Sequence, residues 1–430
     1  MPQIKKSYNQ FLLLWSGDFI SAIGSGMTSF GLGVYIFQQT GKASIMALVT
    51  LLAFLPSLLL SPLAGVLADR YDRRILMILG DSLSAVGLLF IFICLIRGQI
   101  QIWQICVGVA ISSIFSSLLE PAYKATITEM LSADEYSRAS GMVQLAGTAK
   151  YLISPILAGF LLTLSDIRLL LVIDICTFFV TVSTTLVIRK NLSSPRLEST
   201  AAFFSQMKEG WGALTVKKGI LILTVTGSVI TFSLGFLQTL LPPLIMSFKS
   251  AAALGTLTAV IALGMLASSM LLGGIHIKEG YVRLLSLSLC GAGLFMMLLG
   301  LRENLLLIGI TGFLFFACLP FANMSIDCLI RTNIENTVQG RAWGLIGLIS
   351  QLGYVAAYAV SGLLADYVFT PLLLPGGALS GSVGKLLGAG AGRGIGLLIV
   401  LAGFLLCITA FVLSRVNSIR RLEKGGTYGV

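Results

Sequence analysis

Apolar residues in this chain gather into runs near or above the length that crosses a bilayer, parted by short polar turns. Ile102–Leu119, Gly219–Ser247 and Gly394–Leu413 are examples. A hydrocarbon core of ~30 Å takes about 20 apolar residues in a helix. In lipid, a helix satisfies its own backbone donors and acceptors. The runs predict helices over 10–37, 44–67, 75–96, 102–130, 138–163, 167–188, 219–247, 252–275, 282–301, 305–331, 340–367 and 393–415. An even number of spans returns both termini to one side. The longest polar stretch, Arg189–Lys218, contains Pro195 and several serines and parts six helices from six. The predicted organisation is an N-terminal six-helix bundle over 1–190, a cytoplasmic linker over 191–218, and a C-terminal six-helix bundle with a cytoplasmic tail over 219–430. The first apolar stretch, Phe11–Phe37, is too long for a signal-peptide core and reads as the first span.

Composition supports lipid as the solvent. Of 430 residues, 56% are hydrophobic and 11% charged, where soluble domains carry roughly 25% charged residues. The net charge of +11 would suggest nucleic acid in a soluble protein. Its placement argues for topology instead. One set of loops collects most of the Lys and Arg, among them Lys5, Lys6, Arg70, Arg73, Arg74, Arg138, Lys208, Lys217, Lys218, Arg341 and Arg415. The other set holds Lys42, Arg97, Arg168, Lys249, Arg302, Lys385 and Arg393. The richer side, with both termini, is expected to be cytoplasmic, and no nucleic-acid partner is expected.

Seven cysteines lie singly in apolar segments, and His276 is the one histidine. No zinc site, other metal or cofactor is expected from such a set. Nor can a nucleophile–base constellation be assembled, so an enzyme is not expected. The glycine-rich stretch Gly376–Gly396 lacks a phosphate-loop lysine and a strict dinucleotide fingerprint, and reads as an external loop. The halves echo one another. Pro121, Glu135, Arg138 and Gly141 are answered by Pro320, Glu335, Arg341 and Gly344, as in repeat-built transporters.

Between the second and third predicted helices runs Gly65-Val66-Leu67-Ala68-Asp69-Arg70-Tyr71-Asp72-Arg73-Arg74. This resembles the loop signature of the major facilitator superfamily, with Asp72 in place of the usual later glycine. The resemblance implies a gating loop formed by Gly65, Asp69, Arg70, Arg73 and Arg74. Asp81, further into the third helix, is the expected partner of Arg73 or Arg74. Ser154-Pro155-Ile156-Leu157-Ala158-Gly159 is similar to the fifth-helix Gly/Pro motif of exporters in that superfamily, and makes Pro155 and Gly159 a kink. Trp15-Ser16-Gly17-Asp18, Ser21, Pro56, Asp174 with Phe178, and Gly340-Arg341 extend the resemblance to bacterial macrolide-efflux and enterobactin-exporter proteins. It implies the all-α major facilitator fold of twelve transmembrane helices in two pseudo-symmetric bundles. It further implies proton-driven export from a bacterial cytoplasm through the plasma membrane. Small molecules, protons and membrane lipid are the expected partners, and the chain is expected to be monomeric.

Charges inside spans are costly, at least ~2.5 kcal/mol each at the centre, and are the leading functional candidates. Asp18 shares a helix face with Ser21, Ser25 and Thr28. Lys150 and Glu120 fall at comparable depth, so Asp18, Glu120 and Lys150 are the proton-coupling candidates. The plainer alternative pairs Glu120 with Lys124 and sets Lys150 against Asp18 as a static bridge. Asp174 reads as structural, and Asp327 as a partner of Arg331. Ser25, Asn323, Gln351, Tyr354 and Tyr358 are candidates for a substrate cavity; for the helix-eleven stripe, packing is the competing reading. A lipid or lysolipid flippase of the same fold, and a membrane receptor or scaffold, are the alternative functions. The short loops leave no room for a soluble receptor domain.

Overall fold

A computed structural model describes residues 8–189 and 211–425, except 99, 132–134, 213, 216, 276, 278 and 335. Twelve spans in it are long and apolar enough to cross a membrane. They are formed by α1 (Tyr8–Thr40), α2 (Ala43–Arg70), α3 (Arg73–Ile96), α4 (Ile102–Ser116) with α5 (Leu119–Met130), α6 (Tyr136–Leu164) and α7 (Ile167–Arg189). There follow α8 (Lys218–Met246), α9 (Ala251–Gly274), α10 (Tyr281–Leu301), α11 (Leu305–Arg331), α12 (Asn336–Leu364) and α13 (Ala391–Arg415), then a short α14 (Asn417–Gly425). The chain is an all-α, multi-pass membrane protein with the predicted number of spans.

Two spans depart from single helices. The fourth breaks between α4 and α5. Pro121 has no N–H for the Ser117 carbonyl and its ring crowds that position. The Ser117 hydroxyl meanwhile turns back to the Ile114 carbonyl at 2.6 Å, a bond that competes with the helix ladder. The eleventh span runs beyond the predicted end. A π-helical turn, Ala365–Phe369, leads into one more helical turn, Thr370–Leu373. Pro371 cannot donate to Tyr367, and the wider turn accommodates the lost bond.

The chain divides into two compact units. The first comprises Met1–Thr40, Leu48–Thr200 and Ala251–Ala259; the second comprises Gly41–Ala47, Ala201–Ser250 and Val260–Val430. Each unit thus holds six spans, less the short segments that open α2 and α9. The second segment explains the helix-five motif. A Cβ on Gly255 would lie 2.2 Å from the Pro155 carbonyl oxygen, and one on Gly159 would lie 3.0 Å from that of Ala251. Glycine permits this backbone approach. At the start of α2, Asp366 in the π turn accepts from the amides of Ala43 (3.1 Å) and Ser44 (2.7 Å). These are two of the four donors that a helix start leaves open.

The first unit has a tight apolar core toward one end, where Phe11, Leu14, Leu76, Met77, Ala122, Tyr123, Met130, Leu131 and Ile188 are buried together. This core holds α5 in one rotation about its axis. Ala122, Tyr123, Thr126 and Met130 face inward.

Candidate functional site

Three polar sites emerge, each inside one unit. The first is built on α1. Ser21 and Thr28 are buried on its polar face, and glycines let neighbouring helices close on it. A Cβ on Gly24 would stand 2.6 Å from Thr177 Oγ1 on α7, and one on Gly26 would stand 3.0 Å from Lys150 Cγ on α6. Asp174, 1% exposed, is thereby brought against α1. Ser25 Oγ donates to Asp174 Oδ1 at 3.1 Å. The Lys150 ammonium acts electrostatically on both Asp18 and Asp174. Among the described residues it makes no close ion pair, so the static Asp18–Lys150 bridge is not present.

Asp174, expected to be structural, is hydrogen-bonded within this polar cluster. Glu120, expected at the same depth, does not join it. It pairs with Lys124 at 2.6 Å, and both side chains are well exposed. The cause lies in α5, where Glu120 falls about 200° around the axis from the inward-facing Ala122, at 3.6 residues per turn. Tyr123 is the α5 residue turned to Asp18, and the two interact electrostatically although the hydroxyl makes no hydrogen bond of good geometry. Its position in the Tyr123–Thr126–Met130 stripe was a signal readable in the sequence.

The second site is the charged loop between α2 and α3. Asp72 caps α3, accepting from the Arg74 amide at 3.0 Å, so the departure from the family glycine supplies a helix cap. Arg73 Nη1 donates to Glu129 Oε1 at 2.7 Å, and Arg74 Nη2 to Glu129 Oε2 at 3.1 Å. Arg73 also reaches the carbonyls of Ala68 and Ala125, both at 3.2 Å. The expected partner, Asp81, is therefore corrected to Glu129. Side chains on a helix lean toward its N-terminus, which carries Arg73 and Arg74 away from Asp81 and toward α5. Asp81 instead lies buried and interacts electrostatically with Asp18 and Asp174. Gly65 has open space where a Cβ would go, and Arg70 is exposed. The Asp69 side chain lies outside what the structure describes.

The third site is in the second unit. The Tyr354 and Tyr358 rings stand 5.8 Å apart on α12, and Gly235 lets α8 approach them, with a Cβ there 3.1 Å from Tyr354 and 3.3 Å from Tyr358. Tyr358 donates its hydroxyl to Gln238 Oε1 at 2.5 Å. Gln351, one turn before Tyr354, has a buried Oε1 with no hydrogen-bond partner. Asn323 on α11 is exposed. Gln238, an exposed amide on α8, was not singled out by pattern. Asp327 interacts electrostatically with Arg331 as expected. Among the described residues no three His, Cys, Asp or Glu converge to hold a metal ion.

Comparison with known proteins agrees with this architecture. The family profile described as Major Facilitator Superfamily matches residues 14–358. Macrolide efflux protein A of Streptococcus pyogenes is 24% identical over 424 residues, covering 96% of this chain and 97% of that protein. Macrolide efflux protein A of Enterococcus faecalis is 26% identical over 322 residues, covering 73% of this chain and 98% of that one. In fold, the crystal structure of the nucleoside transporter NupG superposes with a TM-score of 0.70 at 14% identity, covering 95% of this chain and all of that one. The chain therefore belongs to the major facilitator superfamily of membrane transporters.

Proposed function

We propose that this transporter exports small amphiphilic molecules in exchange for protons, by alternating access. Its site would be a bacterial plasma membrane, with both termini in the cytoplasm. The observation that carries the reading is the cluster of Asp18, Asp174 and Lys150 inside a membrane-spanning unit. Ionisable groups inside spans are costly and mark ion and proton pathways. Asp18 takes up the coupling proton, and Lys150 compensates the carboxylates left charged. Glu120, exposed and paired to Lys124, remains a second candidate for that proton from the cytoplasmic half of its span.

Substrate contact is assigned to the Gln351–Tyr354–Tyr358 face with Gln238. Two aromatic rings and the unpartnered Gln351 Oε1 suit a ligand with an apolar body and hydrogen-bonding substituents. The relatives named for macrolide efflux make macrolides the first class to test. Gly65, Asp69, Arg70, Arg73 and Arg74 form the gating loop, with Glu129 as its anchor, and do not touch substrate.

The test is substrate-triggered proton movement in inside-out vesicles, with macrolides, siderophores and cationic dyes offered in turn. The reading requires that one class dissipate a proton gradient in the parent and not in Asp18→Asn. A parent that moves no protons with any compound, yet scrambles labelled lysolipid, would replace this function with a flippase.

A further inference from the structure

Asp81 lies on the buried face of α3, inside the first unit. It is 2% exposed, and its Oδ2 makes no hydrogen bond. Arg73 and Arg74, on its own helix, hold Glu129. Ser84, one turn further along the same face, bonds Ser112 at 2.7 Å and Ser116 at 3.0 Å on α4. Ser25 bonds Asp174. The charged groups that act on Asp81 are Asp18 from α1 and Asp174 from α7, both of its own sign. From α6, Lys150 acts on those two acids; from α5, Tyr123 faces Asp18. On α4 the neighbouring polar groups are the serine hydroxyls.

Three carboxylates therefore share a buried cluster with a single ammonium. A carboxylate is an acceptor with nothing to donate, and one left buried without a donor or counter-charge is strongly disfavoured. No metal-holding convergence of acids exists here among the described residues, so one cation cannot bridge all three. Asp174 has the Ser25 hydroxyl, and Asp18 has Tyr123 and Lys150 beside it. Asp81 has neither. A proton of its own removes the charge and turns Oδ2 into a donor among acceptors.

We propose that Asp81 is a second proton-binding residue of the transporter, loaded in the state seen here and emptied during the cycle. The inference rests on the proton-coupled reading above. Asp81 shares the buried face of α3 with Arg74, Met77, Ser84 and Leu88. Loss of its proton would place a fresh negative charge two turns along the helix from the Arg73–Arg74–Glu129 clamp. That links the ion site to the gating loop through one rigid helix.

The experiment is difference infrared spectroscopy of the full chain in liposomes, reading the carbonyl stretch of protonated buried carboxylic acids at neutral pH. Parent, Asp81→Asn, Asp81→Glu and Asp174→Asn are compared, with proton movement measured in the same vesicles. The expected result is a protonated-acid band in the parent, shifted in Asp81→Glu, lost in Asp81→Asn and kept in Asp174→Asn. Proton movement should fall about tenfold or more in Asp81→Asn while downhill substrate equilibration persists. A band unchanged in both Asp81 variants overturns the proposal, even if Asp81→Asn is impaired. Should Asp81→Asn fail to insert, the parent and Asp81→Glu spectra decide alone. A parent that shows the band but moves no protons defeats the coupled-export reading while leaving the protonation of Asp81 standing.

Discussion

Glu129 on α5 is gripped by both arginines that open α3, and the deeper of the two, Arg74, is 1% exposed. One carboxylate thus accepts from two cations, and it ties the start of α3 to the fourth span together with the Arg73 bond to the Ala125 carbonyl. Removing one partner of a buried pair leaves the other charge uncompensated, at about 3–5 kcal/mol. Glu129→Ala should lower stability by that order, seen as a fall in the thermal midpoint in detergent. Glu129→Gln, which keeps one acceptor, should lose less. Asp81→Asn should leave the clamp intact. Equal loss of stability in Asp81→Asn and Glu129→Ala would restore Asp81 as the arginines' partner.

The Ser25–Asp174 bond joins the first span to the sixth. Hydrogen bonds between membrane helices contribute about 1–2 kcal/mol at most. Ser25→Ala should cost that amount or less in equilibrium unfolding, while Asp174→Ala, which strips a buried acid from under two helices, should cost more. A Ser25→Ala protein as stable as the parent, with unchanged proton movement, would remove Ser25 from the site.

Tyr358→Phe deletes the hydroxyl that Gln238 accepts, without altering the ring pair with Tyr354. A net hydrogen bond is typically about 1 kcal/mol, near fivefold in affinity. Macrolide binding, followed by tryptophan fluorescence, should weaken by about that factor if ligand shares this bond. Tyr354→Ala, which deletes a whole ring, should weaken it further. Unchanged affinity in both variants would assign the stripe to helix packing.

Asp366 caps α2 from the π turn with both of its oxygens. Replacing a capping residue costs about 0.5–2 kcal/mol, and the lost charge removes its favourable interaction with the helix start. Asp366→Ala should speed hydrogen exchange of the Ala43 and Ser44 amides by about tenfold or more. Exchange as slow as in the parent would show that those amides are protected without the cap.

The sequence by itself determined the solvent of this protein and the number of its spans. Both follow from composition summed over about twenty residues, a local quantity that no neighbour can reverse. It also determined the loop signature, which depends on adjacent residues only. Tertiary structure alone decided which charges meet. Glu120 and Ala122 are two residues apart, yet one faces outward and the other lies in the core, because each residue turns the helix by about 100° and the core around Ala122 fixes that rotation. Asp174 joined the cluster because glycines on α1 admit α7, and Asp81 stayed without a donor because the arginines lean toward Glu129. Pairing depends on how far each helix is rotated and on which helix is its neighbour. Neither is written in the order of residues along a single span, since an apolar helix in lipid carries a weak amphipathic signal of its orientation.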